Sequence, residues 1–287
     1  MLTACDRNEG DVRVPAYLTI ESFDVLSSDA WSTQESGFFT SEIDAVYVEL
    51  YVEGDAAYTS LGTFTLPCNI PVLRHGDITR VVIQPVIRQN GLHGTRMYYP
   101  FYETITKEHV RLAPDSVTNL GALHTHYRSE QSVKVLWREM FEPGPTEVSL
   151  DSSVVRLTYN DTALSGYGCG VVRIPDSVSV VGFWTDTSYT LTNHSSYLYL
   201  EMDYWSDFDF EVGLYGPAVL GGADQFIPHM TIFANKDKGW QKIYINLGST
   251  WAQTGYLSDK LCIHFHAFNK DGVAGNVYLD NMKLIYM

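Results

Sequence analysis

Glu201 and Asp203 are the residues whose type and spacing most directly suggest chemistry. They lie two apart in Leu200-Glu201-Met202-Asp203-Tyr204, and on a strand that spacing puts both carboxylates on one face. A pair of carboxylates can act as nucleophile and acid/base across a glycosidic bond when roughly 5–5.5 Å apart. The simpler expectation for such a face is solvation. Asp207, Asp209 and Glu211 alternate in the same way and are also expected to form a solvated ridge. His124 and His126, and again His264 and His266, form His-x-His pairs. Each pair would project from one strand face, a geometry that can suit zinc or copper. No cysteine or carboxylate at suitable spacing completes either set, so surface or hydrogen-bonded histidines are expected. At the start of the chain, Leu2-Thr3-Ala4-Cys5 reads as a lipobox, whose cysteine is cleaved to and acylated. Two or more acyl chains make a stable anchor at about 0.8 kcal/mol per buried CH₂. No charged or apolar leader segment precedes Cys5 in this sequence, and a polar tether follows it.

Aromatic residues offer another chemistry. Trp184, Trp205, Trp240, Trp251 and Tyr256 could stack on sugar rings or fill the space between two sheets. Trp240 lies in a strand-like run and reads as core. Trp205 and Trp251 sit near turn-rich stretches and are the candidate ligand-binding residues. Gly166 to Gly170 is not a phosphate loop, because no Lys-Ser/Thr and no helical pattern follow. The cysteines are Cys5, Cys68, Cys169 and Cys262; with Cys5 reserved for lipid, Cys169 and Cys262 are either a candidate disulfide or buried small hydrophobes.

The elements that must position these residues read as strands. Short apolar–polar alternations rich in β-branched and aromatic residues recur between Gly, Pro, Asn and Asp. In the first half they are Tyr17–Val25, Ala45–Val52, Gly62–Pro67, Arg80–Ile87 and Glu108–Leu112. Pro67, Pro71 and Pro85 mark strand ends or edges, since proline cannot donate to a ladder. Composition shifts near 128–132. Runs then follow at 133–138, 154–157, 170–174, 197–203, 208–215, 240–247, 261–268 and 277–286, a number that suits a jelly roll. The fold class is therefore all-β: an N-terminal antiparallel β-sandwich followed by a C-terminal jelly-roll β-sandwich, with no long helix. The expected organisation is lipobox and tether at 1–12, the first domain at 13–128 and the jelly roll at 129–287. Among 287 residues the net charge is −15, and no basic stretch exists, which argues against nucleic acid as a partner. No apolar run approaches the roughly 18 residues of a membrane span.

Four resemblances add to this reading. Val14-Pro15-Ala16-Tyr17-Leu18-Thr19-Ile20, Gly62-Thr63-Phe64-Thr65-Leu66-Pro67, Ile70-Pro71-Val72-Leu73, Asn90-Gly91 and Thr95 to Tyr102 resemble the opening domain of Bacteroidota-type surface lipoproteins. That resemblance implies a lipid-anchored, outer-membrane, cell-surface protein that accompanies a larger outer-membrane complex. Phe141-Glu142, Gly166 to Gly170 and Tyr278 to Leu284 are similar to the corresponding segments of carbohydrate-binding-module-type jelly rolls. This implies a structural calcium ion held by Glu142 and Asp280, with carbonyl oxygens completing the shell. Leu200 to Tyr204 resembles the Glu-x-Asp-x-x-Glu signature of laminarinase-like glycoside hydrolases, but Ser206 stands where the second Glu belongs. The acid/base is missing, so the resemblance implies no glycosidase. Asp115-Ser116-Val117, Asp161-Thr162-Ala163 and Asp176-Ser177-Val178 resemble the Bacteroidota O-glycosylation sequon, which makes Ser116, Thr162 and Ser177 candidate acceptors.

Two functions are expected from these features. The first is a non-enzymatic surface lipoprotein that docks onto an outer-membrane protein complex as an accessory subunit. The alternative is a glycan-binding lipoprotein that uses the C-terminal jelly roll. A groove lined by Trp with nearby Asn or Asp favours sugar, and a flat apolar patch spanning both domains favours a protein partner.

Overall fold

The structure is a computed structural model that describes residues 14–33, 35, 37–92, 94–150, 156–160, 163–189, 197–216, 223–254 and 262–287. Cys5 and Thr162 lie outside the described residues. Ten strands come first: β1 (Ala16–Ile20), β2 (Ser22–Val25), β3 (Ala45–Tyr51), β4 (Thr59–Thr65), β5 (Cys68–Val72), β6 (Gly76–Arg88), β7 (Arg96–Tyr98), β8 (Ile105–Leu112), β9 (Val117–Asn119) and β10 (Ala122–Thr125). Then follow β11 (Lys134–Glu139), β12 (Val148–Leu150), β13 (Arg156–Asn160), β14 (Cys169–Ile174), β15 (Val180–Thr185), β16 (Leu198–Ser206), β17 (Asp209–Gly216), β18 (Gln225–Ile232), β19 (Gln241–Asn246), the short helix α1 (Gly248–Thr254), β20 (Cys262–Phe268) and β21 (Gly275–Tyr286). The chain is all-β, as its alternation predicts, and α1 is the one helix among the described residues.

Two compact units form. The first takes the chain up to Asp24 with Ile43–Val86 and Glu103–Thr125; the second takes Val25–Glu42, Ile87–Tyr102 and His126–Met287. The units therefore interleave along the sequence and do not follow a linear division at 128/129. In the first unit β1 lies between β5, antiparallel, and β9, parallel. Its alternation buries Ala16, Leu18 and Ile20 and leaves Tyr17 and Thr19 partly exposed. Pro71 sits on β5, which ends its sheet, where a missing amide costs no ladder bond. In another sheet β3 pairs with β4 and β6, and β6 pairs with β8 from Gly76 to Ile83. Pro85 lies beyond that register but inside β6, opposite Val46 of β3, so it does not mark a strand end.

The second unit contains a β-sandwich. One sheet runs β13-β14-β21-β16-β19 with β11 also on β21, and the other runs β12-β15-β20-β17-β18. Strands near in sequence alternate between the sheets, as in a jelly roll. Their facing sides make one core that includes Val172, Leu200, Met202 and Leu284 from the first sheet and Phe183, Phe210, Val212 and Phe265 from the second. Phe183 and Phe265 are register partners whose rings stack at 4.8 Å. The strand β20 shows the rule most clearly. Ile263, Phe265 and Ala267 point inward and are buried, while Cys262, His264, His266 and Phe268 alternate outward.

The strand β16 departs from it, because nearly every residue is buried. Leu198, Leu200, Met202 and Tyr204 face the core. Tyr199, Glu201 and Asp203 therefore point to the other face, which the unit's own segments Val25–Glu42 and Ile87–Tyr102 cover together with Tyr127. Glu201 and Asp203 do share a face, but that face is not solvated: Glu201 is fully buried and Asp203 is 1% exposed.

Candidate functional site

A groove of about 660 Å³ lies on the outward face of the five-stranded sheet. Alternation places its floor. His264 and His266 point outward from β20, and their register partners Trp184 and Gly182 on β15 point the same way. Tyr215 comes from β17 and Phe226 from β18. The His264 ring lies between two others, 5.1 Å from Trp184 and 4.5 Å from Tyr215, with planes within 14° of parallel. His264 is thus stacked on both faces, whereas Trp184 and Tyr215 each use only one face in the stack. Phe226 lies 4.1 Å from His266. It also covers Gly213, where a Cβ would collide with its ring. Asp186, Ser188 and Asp224 complete the polar part of the lining.

Burial between rings, with His266 beside it, pushes His264 down to about 4. It is a neutral imidazole near pH 7. Burial pushes the Cys262 thiol up, so no thiolate nucleophile is available there. The arrangement offers ring faces, ring-edge donors and two carboxylates in one concavity, the usual make-up of a small-ligand site.

No family model matches the chain, and no curated protein is similar to it. Solved structures do resemble it. A family 30 carbohydrate-binding module shares 14% identity at a TM-score of 0.41, over 54% of this chain and 99% of that one. The family 11 carbohydrate-binding module of a cellulosomal cellulase of Clostridium thermocellum shares 16% at 0.36, over 54% and 97%. A family 29 carbohydrate-binding module shares 10% at 0.34, over 54% and 91%.

The structure redistributes the residues singled out in the sequence. Trp251 is not a ligand-binding residue: it is 3% exposed on α1 and belongs to the sandwich core. Its turn-rich surroundings proved to be a helix packed inward. Trp205 is half-buried outside the core. It stacks on Tyr278 at 5.0 Å and donates from Nε1 to the carbonyl of Lys236 at 3.1 Å. Neither lines the groove. Trp184, His264 and His266 do, so the second His-x-His pair is neither hydrogen-bonded core nor open surface. Sequence reading missed Tyr215 and Phe226 altogether. Cys169 and Cys262 lie in different sheets and form no disulfide. Ser177 is exposed in the turn between β14 and β15. Ser116 is half-buried and donates to the Ala113 carbonyl at 2.6 Å.

Glu142 and Asp280 reach the same loop. Asp280 accepts from the backbone amides of Leu164 at 3.1 Å and Ser165 at 3.3 Å, and from Asn281 at 2.8 Å. A Glu142 carboxylate oxygen occupies the place a Cβ at Gly166 would take, and that oxygen is buried with no hydrogen-bond partner. Gly166 has φ +68°, so both backbone conformation and close approach require glycine. The orphaned oxygen beside a second carboxylate fits a cation. Among the described residues no three His, Cys, Asp or Glu side chains converge on one point, so carbonyl oxygens would have to supply the remaining ligands.

Glu201 belongs to a separate, closed network. It accepts from Tyr99 Oη at 2.7 Å and Tyr127 Oη at 2.8 Å, and faces Lys283 Nζ at 3.3 Å and Lys242 Nζ at 3.6 Å. Asp203 accepts from Thr40 Oγ1 at 2.8 Å and Asn281 Nδ2 at 2.9 Å, and lies 3.6 Å from Lys242. Asn281 takes φ +48° in β21, a conformation Asn tolerates better than most residues, and so turns its amide towards Asp203. Lys283 also donates to the Phe38 carbonyl. Burial works to raise Glu201, but Lys283, Lys242 and the two tyrosine hydroxyls outweigh it and hold the carboxyl below its usual range. Lys283 has fewer partners, so burial wins and lowers it to about 8. Glu201 and Lys283 therefore stand as a charged pair at neutral pH. Ser206 is buried too, with its hydroxyl donating to the Phe208 carbonyl at 2.7 Å. A substrate cannot reach Glu201, and its carboxylate is committed to holding the layer together.

The depressed Glu201 carboxyl fixes the sign of an acid effect. Its contribution to stability is present above the unfolded-state value of about 4.5 and is lost as pH falls through the lower folded value. Acid titration followed by near-ultraviolet circular dichroism should therefore show a loss of stability below about pH 4.5. Glu201→Gln should flatten that part of the profile. A Glu201→Gln profile parallel to the parent would mean that Glu201 is not a contributor.

Proposed function

We propose that the second unit binds glycan in the groove of the five-stranded sheet. The observation that carries this reading is the joining of two ring faces, on Trp184 and Tyr215, to two carboxylates, Asp186 and Asp224, in one concavity. A sugar ring has the matching surfaces. Its C–H face packs on an aromatic ring, and its hydroxyls donate charge-assisted hydrogen bonds to carboxylates. Glycan binding thereby replaces docking onto a membrane protein complex as the leading reading, because the groove has defined ligand chemistry. In the same proposal, acyl chains on Cys5 hold the groove at the outer membrane and the cell surface.

Calorimetric titration with a panel of β-glucans, galactans, mannans and host-type glycans tests the reading. Trp184→Ala should weaken binding of the recognised glycan by about 30-fold or more, the loss of a buried aromatic anchor worth 2 kcal/mol or above. Trp205→Ala, outside the groove, should bind as the parent does. Undiminished binding by a Trp184→Ala, Tyr215→Ala double variant would remove the groove from the mechanism.

A calcium ion at Glu142 and Asp280 is part of the proposal as a structural ligand. An ion bound only by the native state stabilises it by about 2.7 kcal/mol at a hundredfold excess over Kd. Chelator should then lower the melting temperature and calcium should restore it. The Glu142→Gln, Asp280→Asn variant should not respond. A parent melt indifferent to chelator would leave the two carboxylates as ordinary loop-binding groups.

A further inference from the structure

Among the described residues that line the groove, Asp186 and Asp224 are the acidic side chains, and no lysine or arginine joins them. The rest of the lining is aromatic or small and uncharged, apart from the two imidazoles. We infer that Asp186 and Asp224 act as a specificity filter that admits uncharged glycans and excludes chains carrying uronate or sulfate groups; the inference rests on the glycan-binding reading above. A neutral sugar hydroxyl satisfies a carboxylate by donating to it. A uronate carboxylate or a sulfate has no such proton to give. It would sit beside a like charge, with no lysine or arginine among the described lining residues to pair with, and such a juxtaposition works against a wrong partner without improving the right one. The imidazole sandwiched between Trp184 and Tyr215 supplies no compensating positive charge at neutral pH, because burial keeps His264 unprotonated. The net charge of −15 adds a general repulsion of polyanions, but salt screens it beyond about 8 Å at physiological ionic strength. The two aspartates act within the groove, inside that distance.

The test compares neutral hexasaccharides with the same chains oxidised at their primary hydroxyls to uronates. Both are titrated into the full chain at about 0.15 M salt, where only short-range charge contacts survive screening. The neutral form of the recognised glycan should bind at least about tenfold more tightly, a factor corresponding to 1.4 kcal/mol. The Asp186→Asn, Asp224→Asn variant keeps the shape of both side chains and one acceptor oxygen on each, and removes the charge. It should bring the two forms to within about threefold of each other, the scale of an exposed charge contact. The single variants, each with one carboxylate left, should fall between. Equal binding of both forms by the parent overturns the filter and leaves glycan binding intact. So does a preference that persists undiminished in the double variant. Failure of every glycan to bind, in parent and variants alike, removes the glycan reading itself and the filter with it.

Discussion

Lys283→Ala is expected to destabilise the second unit by about 3–5 kcal/mol, the cost of leaving a buried charge without its partner. Lys283 is fully buried. Its ammonium faces Glu201 at 3.3 Å, donates to the Phe38 carbonyl and sits 4.6 and 4.7 Å from the Phe38 and Tyr127 ring centres. Removing it leaves Glu201 one cation, Lys242, at the longer distance of 3.6 Å. Denaturant unfolding measures the loss as a shift in midpoint at unchanged slope. Adding Glu201→Gln to Lys283→Met should recover part of it, because neutralising both partners removes the uncompensated charge. A shift under about 1 kcal/mol for Lys283→Ala, the size seen for an exposed pair, would mean that water reaches the layer.

Trp251→Ala should cost a comparable amount, about 3–5 kcal/mol for deleting a buried indole. Trp251 belongs to the core that both sheets build, so truncation opens a cavity that the sandwich cannot fully close. The diagnostic is the contrast with Trp184→Ala. The Trp251 variant should melt earlier yet, below its melting temperature, bind glycan as the parent does. Lost binding in a Trp251→Ala protein that melts like the parent would reverse the roles assigned to the two tryptophans.

Alternation was sufficient to read the fold class, and the runs at 197–203, 208–215, 240–247, 261–268 and 277–286 correspond to β16, β17, β19, β20 and β21. Among the strands that escaped it are β15 and β18, which carry Trp184 and Phe226 of the groove. Val180-Val181-Gly182-Phe183-Trp184-Thr185 has no polar alternation, because Phe183 stacks in the core while Trp184 stacks in the groove. In β18, Pro228 disguises an edge strand, pairing opposite Gly213 at a register shift. The outward phase of His264 and His266 was legible from the strict alternation of β20, and it was the available signal for the groove. The burial of Glu201 was not legible. Its partners Tyr99 and Tyr127 lie 102 and 74 residues away in the chain, and local pattern carries no information about cover from so far. The same holds for Trp251, whose setting in a short helix ran against the turn-like composition around it.

The interleaving of the two units also sets a timetable for the ribosome. Phe38 leaves the tunnel early, yet Lys283, which its carbonyl receives, is made 245 residues later. At the usual 5–20 residues per second that interval is about 12–50 s. Through it Phe38, Tyr99 and Tyr102, all buried in the finished unit, have no finished sheet to cover. The second unit closes only when its last strand, the partner of β11, β14 and β16, emerges. Until then those aromatics are the natural targets for holding chaperones, and a nascent chain truncated before Lys283 would keep them exposed.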